Sequence, residues 1–186
     1  MKMQRLCGID EAGRGPIAGA LVIAGLILKE DIEGLNDSKK LTEKKRESLF
    51  EIIIKKSIYH IVSFSAEEVD ELGISKCLRM GLQEIMKSLP TENFLFDGNS
   101  KFGVDNLQTM IKADAKIPEV SAASILAKVT RDREMIAFSK IYPEYSFEKH
   151  KGYGTALHVS KIKEHGYCDI HRKSFRLKAL EKTLFD

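Results

Sequence analysis

Three cysteines in 186 residues are too few and too far apart for a disulfide scaffold. Cys7, Cys77 and Cys168 form no CxxC pair, which argues against the common structural zinc sites. Long apolar runs are missing as well. The longest, Ile17 to Leu28, is broken by Gly19 and Gly25 and falls short of the roughly 18–20 residues of a membrane span, so no membrane partner is expected. No secretory leader is legible, because Asp10-Glu11 interrupts any apolar segment near the start. Free thiols and the lack of a targeting segment point to the cytoplasm. Repeats, low-complexity tracts and linkers are also lacking, so one domain covering residues 1–186 is expected. Charge of one sign is barely in excess. The net value of +3 attracts a polyanion only weakly, although carboxylates thin out from Lys149 to Lys178, where Lys, Arg and His concentrate.

What is present is enough apolar material for a core, 43% of the chain. Leu6 to Asp10 reads as a short strand and Ala20 to Leu28 as a second. The turn Gly13-Arg14-Gly15-Pro16 lies between them, so the pair can be antiparallel. Thr42 caps a predicted helix to about Lys56, with Leu49, Phe50, Ile53 and Ile54 inward. Ile58 to Phe64 reads as a third strand. A helical stretch from Ala66 to Leu89 breaks near Gly73, and strands follow at Asn93 to Asp97 and Leu107 to Ile111. Pro118 opens a helix to about Phe138, as proline suits a first helical position. A loop is predicted at His150 to Thr155, then helices at Thr155 to His165 and Phe175 to Leu184. Strands first and helices later suggest a mixed α/β sheet with helices packed on it.

Asp10 and Asp97 each close an apolar strand beside a turn, and Glu11 and Asp114 lie close by in the chain. Any one of these acids alone reads as a solvated loop residue. Grouped and buried, they repel one another, and a divalent cation is the natural compensation. Carboxylate oxygens are the ligands that magnesium and manganese prefer. Neighbouring strand residues point to opposite faces, so Asp10 and Glu11 are expected to share a site only if the chain turns between them. The Gly13-Arg14-Gly15 turn offers backbone N–H groups to a phosphate or sugar, or is simply a tight turn. At 100° per residue, Ser121, Ser124, Lys128, Arg131 and Asp132 fall within about 100° of arc on the helix after Pro118. That stripe is either a solvated face or small polar groups and a lysine suited to a phosphate backbone.

Taken together these segments resemble ribonuclease HII, the type 2 ribonuclease H of bacteria. The resemblance is carried, in family order, by Asp10 to Pro16, Asp37-Ser38-Lys39-Lys40-Leu41, Asp97-Gly98 and Lys112-Ala113-Asp114. It continues through Ser121 to Asp132, His150 to Thr155 and His171 to Phe175. It implies a ribonuclease-H-like mixed sheet flanked by helices, with a helical C-terminal part. It implies an endoribonuclease that hydrolyses the RNA strand of RNA–DNA hybrids and cuts 5′ to single ribonucleotides embedded in duplex DNA, leaving 5′-phosphate and 3′-hydroxyl ends. Asp10, Glu11, Asp97 and Asp114 would hold two Mg²⁺ or Mn²⁺ ions, about 3.5–4 Å apart in sites of this kind, with Asp10 bridging. The Gly13-Arg14-Gly15 turn would sense the ribose 2′-hydroxyl, and Tyr153 would pack at an RNA–DNA junction. The chain begins almost at its first strand, so the extra N-terminal domain of ribonuclease HIII is not expected.

Lys39, Ser124, Lys128 and Lys151 are the further expected substrate contacts, the lysines through backbone phosphates. His150, His165 and His171 are kept out of the catalytic set, since two metals need no histidine base. The expected role is removal of misincorporated ribonucleotides in DNA repair. The competing readings are a two-metal nuclease or resolvase of the same fold acting on DNA, and a nucleic-acid-binding module with structural acids. The tail Glu181 to Phe185 resembles the Leu-Phe ending of sliding-clamp-binding peptides but lacks the leading glutamine, and a helix packing on the core is the preferred reading.

Overall fold

The computed structural model describes residues 5–35 and 40–177. Among these residues five strands form one sheet in the order β3-β2-β1-β4-β5. The strands are β1 (Leu6–Ala12), β2 (Leu21–Leu28), β3 (Ser57–Phe64), β4 (Asn93–Asp97) and β5 (Leu107–Met110). β1 pairs antiparallel with β2 and parallel with β4; β2–β3 is antiparallel and β4–β5 parallel. The sheet is therefore mixed, as the order of segments predicted. Among the described residues, no helix is long and apolar enough to cross a membrane.

β2 is apolar on both faces because both are covered. Leu21, Ile23 and Ile27 face one side, with α2 (Ala66–Leu72) and α3 (Ile74–Ser88). Val22, Ala24 and Leu26 face the other, with α1 (Glu43–Lys56) and α4 (Pro118–Ile141). Alternation along a strand sorts the two sets. A third apolar cluster joins Ile17, Ala18 and Met135 to α5 (Phe147–His150) and α6 (Ala156–His165).

The helix boundaries have local causes. The Thr42 side chain accepts the Lys45 N–H, and Ser65 and Glu68 form a reciprocal capping box. Gly73 separates α2 from α3 where a break was expected. Pro118 opens α4, which runs three residues beyond the expected end at Phe138. Two features differ from expectation. His150 is not in a loop but closes the single turn α5. Residues 175–177, the start of an expected last helix, are not helical, and Phe175 instead lies against the core under the Arg172 guanidinium. The rest of that helix and the tail Glu181 to Phe185 lie outside the described residues, as do Asp37, Ser38 and Lys39.

Candidate active site

β1 and β4 run parallel and their carboxyl ends lie side by side, with Ile9 opposite Phe96. One residue further on are Asp10 and Asp97. Both lie on the α4 side, since Cys7, Ile9, Phe94 and Phe96 pack toward α3. A 3₁₀ turn, Ala113–Ala115, brings Asp114 to the same place. One carboxylate oxygen from each of Asp10, Asp97 and Asp114 lies within 4.8 Å of the others. The Asp97 carboxylate accepts the N–H groups of Ala113 at 3.3 Å and Asp114 at 3.4 Å, so strand end and turn are tied together.

Glu11 reaches the same cleft in a way the sequence did not suggest. No turn separates it from Asp10, because β1 continues through Ala12. Its residue parity puts it on the opposite face of the sheet. β4 stops at Asp97, however, so the last residues of β1 have no neighbour on that side, and both faces open into one cavity of about 400 Å³. Glu11 Oε1 accepts from Arg14 Nη1 at 3.0 Å, while its buried Oε2 has no hydrogen-bond partner.

Burial, then the charge of Glu11, raises the Asp10 carboxyl well above the ordinary aspartate range, against a hydrogen bond from Ser124 that lowers it. Burial raises Glu11 despite the pull of Arg14. Burial and the neighbouring Asp114 raise Asp97. Four carboxyls outnumber the cations of the cleft, Arg14, Arg46 and Lys128, and Lys128 is already paired with Asp132. An orphaned buried carboxylate oxygen and three clustered acids fit a hard divalent cation.

The remaining cleft residues come from distant segments. Ala12 to Gly15 form one wall and Gly98 another, with Arg46 from α1, Ser124 and Lys128 from α4, and Tyr153 from the loop after α5. Gly13 has φ +100, and a Cβ there would overlap the Ala20 carbonyl and the Arg131 side chain, so only glycine fits. Arg14 is exposed and also lies over the Phe102 ring, 5.4 Å from its centroid. Lys128 Nζ pairs with Asp132 at 2.8 Å and lies 5.6 Å from the centroid of the Tyr153 ring, which is 44% exposed.

Thus the four acids, the Gly13-Arg14-Gly15 turn, Ser124, Lys128 and Tyr153 converge. Lys151 does not: its ammonium donates to the Glu148 carbonyl at 2.6 Å, away from the cleft lining. Lys39 lies outside the described residues. The polar stripe of α4 is not a solvated face. Ser121, Ser124, Arg131 and Asp132 are all buried, and Arg131 serves backbone carbonyls rather than a phosphate. Arg46 was missed by the sequence reading. Its one visible signal was a basic residue in the first turns of a helix that follows the Asp37-Ser38-Lys39 segment.

A mixed sheet of this order, with acids gathered at the ends of its central parallel strands, defines a nuclease of the ribonuclease-H-like fold. The family model for Ribonuclease HII matches residues 7–178. A Ribonuclease HII of Sulfurovum sp. (strain NBC37-1) is 67% identical over 181 residues, covering 97% of this chain and 96% of its own. One of Aliarcobacter butzleri (strain RM4018) is 61% identical over 192 residues, 98% and 100% of the two chains. Among solved structures, the RNase HII in a PCNA:RNase HII complex from Archaeoglobus fulgidus superposes with a TM-score of 0.83 at 29% identity, covering 94% of this chain and 96% of that one. Ribonuclease H2 from Pyrococcus horikoshii OT3 gives 0.76 at 29% identity, covering 96% of each. The chain belongs to the ribonuclease HII family. It is an endoribonuclease, a hydrolase of a divalent-metal-dependent family, and acts on the RNA strand of RNA–DNA hybrids.

Proposed function

We propose that, beyond RNA–DNA hybrids, the chain cuts duplex DNA on the 5′ side of single embedded ribonucleotides, leaving 5′-phosphate and 3′-hydroxyl ends. The observation that carries this reading is the meeting, in one cleft, of the acid cluster, the Gly13-Arg14-Gly15 turn and the exposed ring of Tyr153. In this reading Asp10, Glu11, Asp97 and Asp114 would hold two Mg²⁺ or Mn²⁺ ions. When bound, such a pair of ions supplies an activated water and neutralises charge on the leaving oxygen.

The protein's own groups do the rest. Ser124 orients Asp10 through its hydrogen bond, and Arg14 orients Glu11. The turn held by Gly13 brings backbone N–H groups close to a sugar, where they recognise the 2′-hydroxyl that separates RNA from DNA. Tyr153 packs on the deoxyribose beyond the ribonucleotide. Lys128 and Arg46 hold backbone phosphates without reading bases, and Lys39 joins them from outside the described residues. Lys151, turned onto Glu148, is left out of that set.

The cellular setting is removal of misincorporated ribonucleotides in the cytoplasm, where DNA repair completes the gap. The Archaeoglobus relative was captured with PCNA. A sliding clamp is accordingly proposed as a partner, through the tail Glu181 to Phe185. Mapping the products of a labelled duplex carrying one ribonucleotide tests the reading. A single cut 5′ to that nucleotide with a 3′-hydroxyl end is expected, whereas cleavage of an all-DNA duplex at an equal rate favours a resolvase-like enzyme of the same fold.

A further inference from the structure

Beneath the Tyr153 loop lie three histidines that the proposed chemistry does not use. His150 closes α5, His158 is in α6, and His171 follows α6 in the chain; all three are buried. The rings of His150 and His158 stack with centroids 4.2 Å apart, and His158 Nε2 lies 3.0 Å from His171 Nε2.

Their proton positions follow from partners whose roles are fixed. The Tyr153 carbonyl can only accept, so His158 Nδ1, 2.9 Å away, carries a proton. A neutral ring has one N–H, so His158 Nε2 accepts and His171 Nε2 donates to it. His171 Nδ1 is then bare. It accepts the Cys168 backbone N–H at 2.9 Å and is placed to accept the Cys168 thiol at 3.1 Å, with the Cys168 carbonyl farther off at 3.3 Å. His150 Nδ1 accepts the Gly152 N–H at 3.2 Å, which leaves its Nε2–H for the Tyr145 carbonyl at 2.9 Å. With the rings neutral, as their burial favours, these contacts hold each ring in one tautomer.

We propose that the chain of hydrogen bonds from Cys168 through His171 and His158 to the Tyr153 carbonyl, with His150 holding the Gly152 amide, sets the position of the Tyr153 ring in the cleft. The proposal rests on the reading of Tyr153 as a substrate contact. His158 and His171 are positioning residues in it, since neither lines the cleft. The loop they hold turns sharply. Lys151 and Gly152 have φ +50 and +83, and a Cβ at Gly152 would overlap the Ala18 carbonyl.

The groups facing the relay come from every neighbouring element. They are Tyr145, Phe147, Glu148 and His150 around α5, Lys151 from the loop, Cys168 and Tyr167 ahead of His171, and Arg131 from α4, which donates to the Lys151 carbonyl. Burial keeps His158 and His171 neutral down to about pH 4, and the neighbouring rings push the same way. A proton added to His158 would go to Nε2 and set two N–H groups against each other at the 3.0 Å contact, whereas one added to His171 would go to Nδ1 and face the Cys168 backbone N–H.

The test separates the relay from Tyr153 itself. An asparagine amide sits near Nδ1 of the histidine it replaces, and a glutamine amide near Nε2. His158→Gln, which loses the bond to the Tyr153 carbonyl, should lower kcat/KM on a duplex carrying one ribonucleotide about tenfold, as for one lost stacking contact. His158→Asn should recover most of that loss. In a Tyr153→Ala background, His158→Gln should cost nothing more, because both act through one ring. Fully additive losses, or an Asn variant as poor as the Gln variant, would overturn the relay. An unchanged rate for Tyr153→Ala would instead overturn the substrate role of Tyr153. Nitrogen-15 NMR on the wild-type protein decides the geometry without activity or mutation. It should show His158 protonated at Nδ1 and His171 at Nε2, both unchanged from pH 8 to 5. The opposite tautomers, or titration near 6.5, would overturn the proposal.

Discussion

Arg131 Nη2 donates to the carbonyl oxygen of Ala18 at 2.8 Å, and both residues are buried. The same guanidinium reaches the carbonyls of Ala20 and Lys151, while Arg172 reaches those of Pro16 and Gly19. Two buried arginines from distant parts of the chain therefore hold the backbone that follows the Gly13-Arg14-Gly15 turn. Burial lowers the pKa of both, that of Arg172 to about 10. One ammonium cannot span three carbonyls as a guanidinium does. Arg131→Lys should accordingly destabilise the protein by about 3 kcal/mol, the worth of one or two charged hydrogen bonds. Urea unfolding checks this, and a loss near zero would mean the clamp is dispensable.

The acid cluster sets up a trade between stability and chemistry. Asp10, Glu11 and Asp97 have raised carboxyl pKa values, so the folded state binds protons more tightly than the unfolded chain. Their effect is favourable at low pH and is lost as pH rises through the folded values. Without divalent cations at pH 8, Asp10→Asn should melt higher than wild type. Added Mg²⁺ or Mn²⁺ should raise the wild-type melting temperature and raise the variant's by less. Melting curves in chelator and in metal decide it; equal shifts would detach Asp10 from the metal site.

The buried histidines have the opposite sign. His158 and His171 are depressed to about 4, whereas the unfolded chain takes up protons below about 6.5. Stability is constant above that range and is lost as pH falls from about 6.5 toward 4, by at most about 1.4 kcal/mol per unit for each group. His171→Asn should show a pH dependence of urea unfolding shallower by about one proton over this window. A slope identical to wild type would mean that His171 is not buried neutral.

Lys128 and Lys151 should separate in a salt titration. Lys128 lines the cleft and Lys151 does not. Lys128→Ala should weaken duplex binding similarly across base sequences and flatten its salt dependence by about one counterion. Lys151→Ala should change the slope little. Equal slopes in the two variants would restore Lys151 to the phosphate-binding set.

Much of this architecture was legible because local signals agreed with the packing. Thr42, Gly73 and Pro118 mark boundaries that the folded chain keeps. Asp10 and Asp97 stood out as acids ending apolar strands. What was not legible depended on contacts between distant segments. The sharing of one cleft by Asp10 and Glu11 follows from where β4 stops, not from a local turn. Arg131 sat on a polar stripe that a helical wheel cannot distinguish from a wet face, because the chain after Gly15 and the loop after α5 cover it only in the fold. Lys151 carried a charge in a basic loop, but its direction is set by a carbonyl three residues earlier.

The central claim is that the clustered acids cut nucleic acid where a 2′-hydroxyl is present. The most direct measurement compares wild type and Asp10→Asn in magnesium on three duplexes matched in sequence, carrying no, one or several consecutive ribonucleotides in one strand. Wild type should cut the second and third and leave the first intact. Asp10→Asn should cut none while still binding them, because removing a negative charge does not weaken attraction to phosphate. Near-native turnover by Asp10→Asn, or wild-type cleavage of the all-DNA duplex at the rate of the others, would contradict the account.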